Sequence, residues 1–133
     1  MADASHHLLV IDDEPFIARI VRTAFERGPF RVSSALDGRS GLDFLAANRD
    51  VALVLLDLNM PGMTGVEMLA ALREDPALRD TVVMVLTAAG QAGQVERARD
   101  LGAAAIVTKP FSPKKLYRLV AEYLGENPEA PEA

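Results

Sequence analysis

Three aspartates, a threonine and a lysine are the residues of this sequence with the clearest chemical potential. They are Asp12, Asp13, Asp57, Thr87 and Lys109, and each stands at or just after the end of an apolar run. Carboxylates brought close together repel one another and resist ionisation, and a hard divalent cation such as Mg²⁺, which prefers oxygen ligands, relieves that repulsion. A carboxylate nucleophile, a metal site and hydrogen-bond donors are what phosphoryl transfer requires.

The stretch Val51–Gly62 is the part of the chain that must position Asp57. Six apolar residues lead without a break into Asp57, and a Pro61-Gly62 turn follows shortly after it. An unbroken apolar run of this length predicts a strand that is covered on both faces, in the middle of a parallel sheet. Asp57 would then leave the sheet at the carboxyl end of its strand, where ligands bind in open α/β sheets.

The rest of the chain alternates strand and helix patterns. Further strands are predicted at Leu8–Ile11, Phe30–Ala35, Thr81–Thr87 and Ala105–Thr108, and helices are predicted to begin near Pro15, Asp37, Thr64, Gln91 and Ser112. Five strand–helix units in a row predict an α/β, doubly wound fold, in which a parallel five-stranded sheet carries helices on both faces. The alternating pattern of Phe30–Ala35 suits an edge strand.

Composition narrows the class of protein. The 133 residues carry a net charge of −5, contain no cysteine and include no block of basic residues, so neither direct nucleic-acid binding nor thiol chemistry is expected. The start Met1–Ser5 is acidic and unlike a signal peptide, and no apolar run approaches the roughly 20 residues that span a membrane. A cytoplasmic location is therefore expected. We predict an N-terminal extension at 1–6, one domain at 7–124, and a disordered tail or truncated linker at 125–133.

Four motifs together indicate a family. Asp12-Asp13, the run from Asp57 to Gly62, Thr87-Ala88 and Lys109-Pro110-Phe111 resemble the receiver (CheY-like) domain of two-component response regulators. The resemblance covers residues of about 7 to 124. It implies a flavodoxin-like fold with the strand order 2-1-3-4-5. Because the four motifs fall at the right strand ends and in order, their combination is far more specific than any one of them.

The resemblance also implies roles for the metal-binding residues. Asp57 would accept a phosphoryl group from a phosphohistidine on a histidine kinase or phosphotransfer protein. Asp13, Asp57 and the backbone carbonyl of Asn59 would ligate Mg²⁺, with Mn²⁺ as a substitute, and Asp12 would hold the ion through its waters.

On the same resemblance, two further residues would contact the phosphoryl group. Thr87 would donate a hydrogen bond to a phosphoryl oxygen, and the small Ala88 would leave room for the group. Lys109 would form an ion pair with it, and the Lys109-Pro110 peptide bond is expected to be cis.

The resemblance further implies an output surface formed by the fourth helix, the fifth strand and the fifth helix, near Val95, Ile106 and Tyr117. A downstream protein target, or a second copy of the chain, would bind there. Many receivers have an aromatic residue at the position of Ile106, so an aromatic switch is in doubt here. Ala89 and Asn59 would flank the route of an attacking water and tune the lifetime of the acyl phosphate.

Each residue also has a simpler interpretation. A lone aspartate after an apolar run is more often a turn former, Thr87 alone a strand residue, and Lys109 alone a solvated charge. His6-His7 could suggest a metal or phosphohistidine site, but the pair stands at a terminus that is expected to fray, with no acidic partner expected nearby.

Several functions remain open beside a signalling receiver. The chain could be a phosphate sink or shuttle without a direct target, a receiver cut from a larger multidomain regulator, or a pseudo-receiver that binds partners without phosphate. A small acyl-phosphate hydrolase is a further alternative. Asn59 argues against it, because such enzymes place a second acid two residues after the nucleophile.

Overall fold

Five parallel strands form a single sheet in the computed structural model, which describes residues 5–131. The strands are β1 (His6–Ile11), β2 (Phe30–Ala35), β3 (Val51–Asp57), β4 (Val83–Thr87) and β5 (Ala105–Thr108). Their order is β2-β1-β3-β4-β5. The predicted fold class and strand order are confirmed, and the alternating strand β2 lies at an edge as expected.

Five helices cover the two faces of the sheet. They are α1 (Pro15–Phe25), α2 (Gly38–Ala47), α3 (Gly65–Glu74), α4 (Ala92–Asp100) and α5 (Pro113–Tyr123). The apolar sides of α1 and α5 pack with one face of the strands, and those of α2, α3 and α4 pack with the other. Burial on both sides explains why β3 and β4 are continuous apolar runs in the sequence, since neither face of these strands is exposed to solvent.

Side-chain caps fix where three of the helices begin. Asp37 accepts a hydrogen bond from the Ser40 backbone N–H (2.8 Å) at the start of α2. Thr64 and Glu67 form a reciprocal capping box at α3, with hydrogen bonds of 3.1 and 2.9 Å. Ser112 caps α5. These caps set the registers of the helices that follow strands β2, β3 and β5.

Both ends of the described chain are held by side-chain contacts. His6 lies within β1 and pairs with Glu126 at 2.8 Å, and Arg118 pairs with Glu129 at 3.1 Å. Residues 125–129 thus contact the domain. Residues 1–4 of the expected extension and residues 132–133 of the expected tail lie outside the described part of the chain, and the predicted domain limits remain predictions.

The two histidines differ from the expectation of an unpartnered terminus. His7 is buried in β1, and its ring nitrogens contact the Asp50 carboxylate at 3.1 Å and the Ser33 hydroxyl at 2.7 Å. The acidic partners Asp50 and Glu126 are distant in sequence, so the sequence around His6 and His7 did not reveal them. The contacts give both histidines a structural role, because they satisfy the polar groups at the amino end of the sheet.

The tyrosine of α5 that was expected on the output surface lies in the core. Tyr117 is only 2% exposed and packs with Phe25 and Phe30, at ring-centroid distances of 4.9 and 5.4 Å. The proposal that Tyr117 lies on an output surface is therefore wrong. Tyr123, at the end of α5, is instead 53% exposed. The buried stripe of α5 runs instead through Leu116, Tyr117, Val120 and Ala121.

Gly65 marks the closest approach of a helix to the strand that carries Asp57. Its backbone N–H donates to the Leu58 carbonyl at 3.1 Å. A Cβ atom at Gly65 would stand 2.6 Å from the Leu58 Cα and closer still to the Asp57 carbonyl oxygen. Both obstacles are backbone, so neither can move aside cheaply, and only glycine allows α3 to begin directly under the end of β3.

Gly65→Ala should therefore destabilise the protein by about 1–3 kcal/mol, the usual cost of overpacking. Gly93→Ala is the matched control, since a Cβ there meets no atom within 4 Å and Gly93 lies inside helix α4. That change should stabilise the protein by roughly 0.5–1 kcal/mol. Urea unfolding of both variants measures the difference, and equal midpoints would contradict this account of Gly65.

Candidate functional site

The carboxyl ends of four strands bring the predicted site residues to one edge of the sheet. Asp57 and Thr87 are the last residues of β3 and β4, while Asp12 and Lys109 directly follow β1 and β5. Carboxylate oxygens of Asp12, Asp13 and Asp57 all lie within 4.8 Å of one another. The structure therefore assembles the acidic set, although its members come from distant parts of the sequence.

Lys109 is the cation that faces this acidic set. Its Nζ atom lies 2.8 Å from Asp12 Oδ2 and 3.6 Å from Asp57 Oδ1. A third carboxylate, that of Glu14, lies 3.4 Å from the same Nζ atom. The lysine is preceded by β5 and followed by a cis Lys109-Pro110 bond, as expected. One positive charge is thus shared among three carboxylates.

The environment of Asp57 disfavours its charged form. Burial raises the pKa of the Asp57 carboxyl from an ordinary value of 3.8 to about 6. The Asn59 backbone N–H, which donates to Asp57 Oδ1 at 3.2 Å, lowers the pKa, as does Lys109, while the negative charges of Asp12 and Asp13 raise it. Desolvation and like charge outweigh the stabilising contacts.

The pKa of Lys109 is also raised, and for a lysine this favours the charged form. Its partial burial alone would lower the pKa, but the hydrogen bond and charge attraction from Asp12, together with Asp57, outweigh burial and raise it. Lys109 is consequently protonated at neutral pH, and it offers three N–H donors to whatever oxygen atoms occupy the site.

The donor set fits a hard divalent cation. Carboxylate oxygens are the ligands that Mg²⁺ prefers, and it commonly takes one or two of them together with waters and phosphate oxygens. Lys109 alone leaves the three clustered carboxylates with an excess of negative charge, and the charges of Asp12 and Asp13 add to burial in raising the pKa of Asp57. A cation here would favour the ionised form of Asp57.

Thr87 and Asn59 lie beside this set in different ways. Thr87 is buried at the end of β4, and its hydroxyl donates to the neighbouring Ala88 carbonyl at 3.3 Å. Asn59 contacts Asp57 through its backbone N–H, while its side chain is exposed. Ala89, expected to tune the site, is exposed in the loop after β4. None of these contacts tests the roles that the resemblance implies.

A cavity of about 560 Å³ opens beside Asp57, and its apolar wall was not anticipated. Phe16 and Ile20 of α1, with Pro110 and Phe111 after β5, contribute to this wall. The Phe16 side chain is 50% exposed. Because Phe16 stands in the first turn of α1, it extends past the end of the sheet and faces the cavity.

Glu14 was also missed as a site residue. It directly precedes α1 and contacts Lys109, which is 95 residues away in sequence. The acidic run Asp12-Asp13-Glu14 was a visible signal, but an acidic residue before a helix is ordinarily explained by the helix dipole.

The remaining residues of the expected output surface are half-buried. Val95 on α4 and Ile106 on β5 pack against the cluster under α2, α3 and α4. Ile106 has no ring, and its partial burial agrees with a packing role.

Sequence comparison gives a consistent set of relatives. A family model described as "Response regulator receiver domain" matches residues 8–121. The transcriptional regulatory protein YkoG of Bacillus subtilis is 36% identical over 121 residues, which cover 91% of this chain and 52% of the relative. The transcriptional regulatory protein SrrA of Staphylococcus aureus is 33% identical, over 84% of this chain and 45% of the relative. The chain thus spans about half the length of these curated relatives.

Solved structures agree with the sequence relatives. The chemotaxis protein CheY4 of Vibrio cholerae superposes with a TM-score of 0.81 at 28% identity, over 90% of this chain and 98% of that one. The signal receiver domain of a signal transduction histidine kinase from Syntrophus aciditrophicus gives a TM-score of 0.81 at 27% identity, covering 91% of each chain.

The raised pKa of Asp57 predicts the pH dependence of stability in metal-free protein. The folded-state value of about 6 lies above the ordinary 3.8, so ionisation of Asp57 costs stability as pH rises between these values. Asp57→Asn removes that cost. The variant should be more stable than the wild type above pH 6, by roughly 2–3 kcal/mol, and its advantage should vanish below about pH 4.

Denaturant unfolding in the presence of a chelator, repeated across this pH range, measures the effect. Asp43→Asn, which removes an exposed carboxylate on α2, serves as the control and should show no comparable gain. Mg²⁺ should then stabilise the wild type more than Asp57→Asn. A variant that is less stable than the wild type at pH 7 would contradict the account of a destabilised Asp57 charge.

Proposed function

The chain belongs to the response regulator receiver domain family of two-component signalling, and we propose that Asp57 is its phosphoacceptor. The observation that carries this proposal is the placement of the buried Asp57 carboxylate within 4.8 Å of two other carboxylates and 3.6 Å from Lys109 Nζ. A carboxylate held at a strand end beside a cation and a metal-binding set has the surroundings that phosphoryl transfer needs.

The proposed donor is a phosphohistidine on a histidine kinase or phosphotransfer protein. An Asp57 oxygen forms a bond to phosphorus while the P–N bond of the donor breaks, and the electron pair of that bond returns to the imidazole. Asp57 becomes an acyl phosphate, and no atom is lost from either partner apart from the transferred group.

The other residues of the site support this step in separate ways. Asp12, Asp13 and Asp57, with the backbone carbonyl of Asn59, would hold Mg²⁺ or Mn²⁺, which supplies positive charge next to the transferred oxygens. Lys109 would pair with the phosphoryl group, since its Nζ is already near Asp57 Oδ1.

Thr87 would donate its hydroxyl to a phosphoryl oxygen after exchanging its present acceptor, the Ala88 carbonyl. The exposed Ala88 and Ala89 leave space on this side of the site.

The apolar wall beside Asp57 suits contact with the donor protein. A donor histidine must come within bonding distance of Asp57, so the surface around the cavity has to lie against the protein that carries it. Phe16, Ile20, Pro110 and Phe111 offer that surface apolar area, and burial of such area favours association.

Phosphorylation would be reported through the loop after β4 and helix α4. It adds roughly −1.5 to −2 charges at the sheet edge. Only a conformation that brings Thr87 and Lys109 closer to that charge gains from it, so the phosphoryl group shifts an existing equilibrium. The surface formed by α4, β5 and α5, near Val95 and Ile106, would then bind a protein target or a second copy of the chain.

The two ends of α4 are held very differently, which supports movement at its start. Arg73 donates hydrogen bonds to the Leu101 and Gly102 carbonyls at 2.7 and 3.2 Å, and so fixes the end of α4 to α3. At the start of α4, Gln91 makes no side-chain cap, and the preceding Gly90 adopts a φ of +88°. The helix is thus anchored at its end and free to shift near Thr87.

The relatives favour one of the alternatives for the wider context. YkoG and SrrA are named as transcriptional regulatory proteins and are about twice as long as the matched region. We therefore propose a receiver that acts in the cytoplasm as part of, or together with, a larger regulator. A phosphate sink or shuttle is the second candidate. Within residues 5–131, none of the helices is long and apolar enough to cross a membrane.

Labelling with a small phosphodonor such as acetyl phosphate tests the phosphoacceptor. The wild type should acquire one acid-stable, hydroxylamine-sensitive phosphoryl group in the presence of Mg²⁺ and none with a chelator. Asp57→Asn should remain unlabelled, whereas Asp43→Asn should label like the wild type. Equal labelling of the Asp57→Asn variant would refute the assignment, and many turnovers per second of released phosphate would instead favour the hydrolase alternative.

A phosphate mimic tests the switch. On addition of beryllium fluoride and Mg²⁺, the backbone NMR signals of residues 88–95 should shift more than those of Leu101 and Gly102, because Arg73 anchors that end. Thr87→Ala should bind the mimic with a much smaller shift on α4. If the α4 signals of the wild type do not move, the chain stores or passes on phosphate without this switch.

A further inference from the structure

Glu14 has a contact in the site that neither phosphoryl transfer nor metal binding requires. Its Oε1 atom lies 3.4 Å from Lys109 Nζ, slightly nearer than the 3.6 Å that separates Nζ from Asp57 Oδ1. The Glu14 side chain is 49% exposed, whereas that of Asp12, the closest partner of Lys109, is 1% exposed. Among the described residues, the set of clustered metal-ligand candidates includes Asp12, Asp13 and Asp57 but not Glu14.

We propose that Glu14 is a positioning residue that holds Lys109 back from Asp57 and slows phosphoryl transfer. This inference rests on the proposed function of Asp57. It assigns to Glu14 a regulatory effect on the rate at which Asp57 is phosphorylated, in addition to any effect on helix α1.

The geometry makes Glu14 the contact that Lys109 can exchange. Asp12 is fixed, because it accepts from Lys109 at 2.8 Å and from the Glu14 backbone N–H at 2.9 Å while it is buried. The Glu14 side chain makes no capping hydrogen bond at α1. A phosphoryl group on Asp57 needs a Lys109 N–H that points towards it. Of the Lys109 contacts with Asp12 and Glu14, the half-exposed contact with Glu14 is the weaker, so Lys109 loses it more easily.

The negative charge of Glu14 slows phosphoryl transfer, as does its contact with Lys109. Small phosphodonors and the phosphoryl group are anionic, and the site opening already carries the charges of Asp13 and Glu14. Removing the Glu14 charge lowers the repulsion that an incoming donor meets, and it frees Lys109 to face Asp57. Both effects favour the phosphorylated state, and salt screens the repulsion.

A structural interpretation makes a different prediction. As an acidic residue directly before α1, Glu14 would interact favourably with the helix dipole. Its removal would then weaken α1 slightly and leave the rate of phosphoryl transfer unchanged.

The test compares Glu14→Gln with Glu26→Gln, which removes the same charge at the opposite end of α1. At saturating Mg²⁺ and low ionic strength, Glu14→Gln should label from acetyl phosphate about three- to tenfold faster than the wild type, the range expected for a charge pair near the surface. Glu26→Gln should match the wild type. The acceleration should shrink as salt is added.

A second readout needs neither metal nor phosphate. In chelator-treated protein, Glu14→Gln should lower the denaturant midpoint when Lys109 is present, and should leave it unchanged or raise it in a Lys109→Met background. A midpoint shift of the same sign and size in both backgrounds would show that Glu14 does not act through Lys109, and would overturn the proposal.

The two hypotheses fail in different ways. If the wild type takes up no label, the assignment of Asp57 is wrong. If the wild type is labelled but Glu14→Gln is labelled at the same rate or more slowly, Asp57 stands and the inference about Glu14 is overturned.

Discussion

The excess of negative charge at the carboxyl edge of the sheet is the constraint on which the rest of this structure depends. Asp57 is 3% exposed and shares its surroundings with Asp12, Asp13 and a single lysine. Burial and like charge raise its pKa to about 6, so the fold holds this carboxylate at a cost. The apolar strands β3 and β4 offset that cost, since they are buried almost completely on both faces. A site of this kind gains from added positive charge, so a bound cation would offset both this excess and the negative charge that the proposed phosphoryl group adds.

The strand order determines which residue types can serve at each position. β1 and β3 are neighbours, so the short side chains of Asp12 and Asp57 reach the same point. β5 lies at the edge and is separated from β3 by β4, which puts it about 10 Å from β3, given the usual strand spacing. Only a long side chain can cross that distance, and Lys109 does so to reach Asp12 at 2.8 Å. Gly65 completes the arrangement, because it lets α3 start beneath the Asp57 carbonyl.

Local patterns predicted the strands and the convergence of the acidic set. The strand order came from the resemblance to the receiver family. Contacts between distant residues were not predictable in the same way. His6 and His7 find Glu126 and Asp50 through pairings that no local pattern encodes. Tyr117 was misplaced because the resemblance gave the elements of the output surface but not the rotation of α5 against its neighbours, where Phe25 of α1 and Phe30 of β2 pack with Tyr117. Glu14 was overlooked because its partner, Lys109, follows a strand at the opposite end of the chain.

Because of Ile106, the reporting step of the proposed switch has to depend on the backbone. A ring that rotates between an exposed and a buried position can couple Thr87 to a distant surface, and isoleucine offers no such change of shape. Helix α4, whose two ends are held differently, offers another way to couple Thr87 to that surface. Arg73 holds the carbonyls at the end of α4, and also those of Arg79 and Thr81 before β4, so this end is tied to the rigid part of the sheet. Displacement of Thr87 can then be taken up only at the uncapped start of α4, after the left-handed Gly90. The partly buried Val95 lies on α4, and Ile106 of β5 packs against the same cluster, so under the proposed switch their exposure would change even without an aromatic side chain.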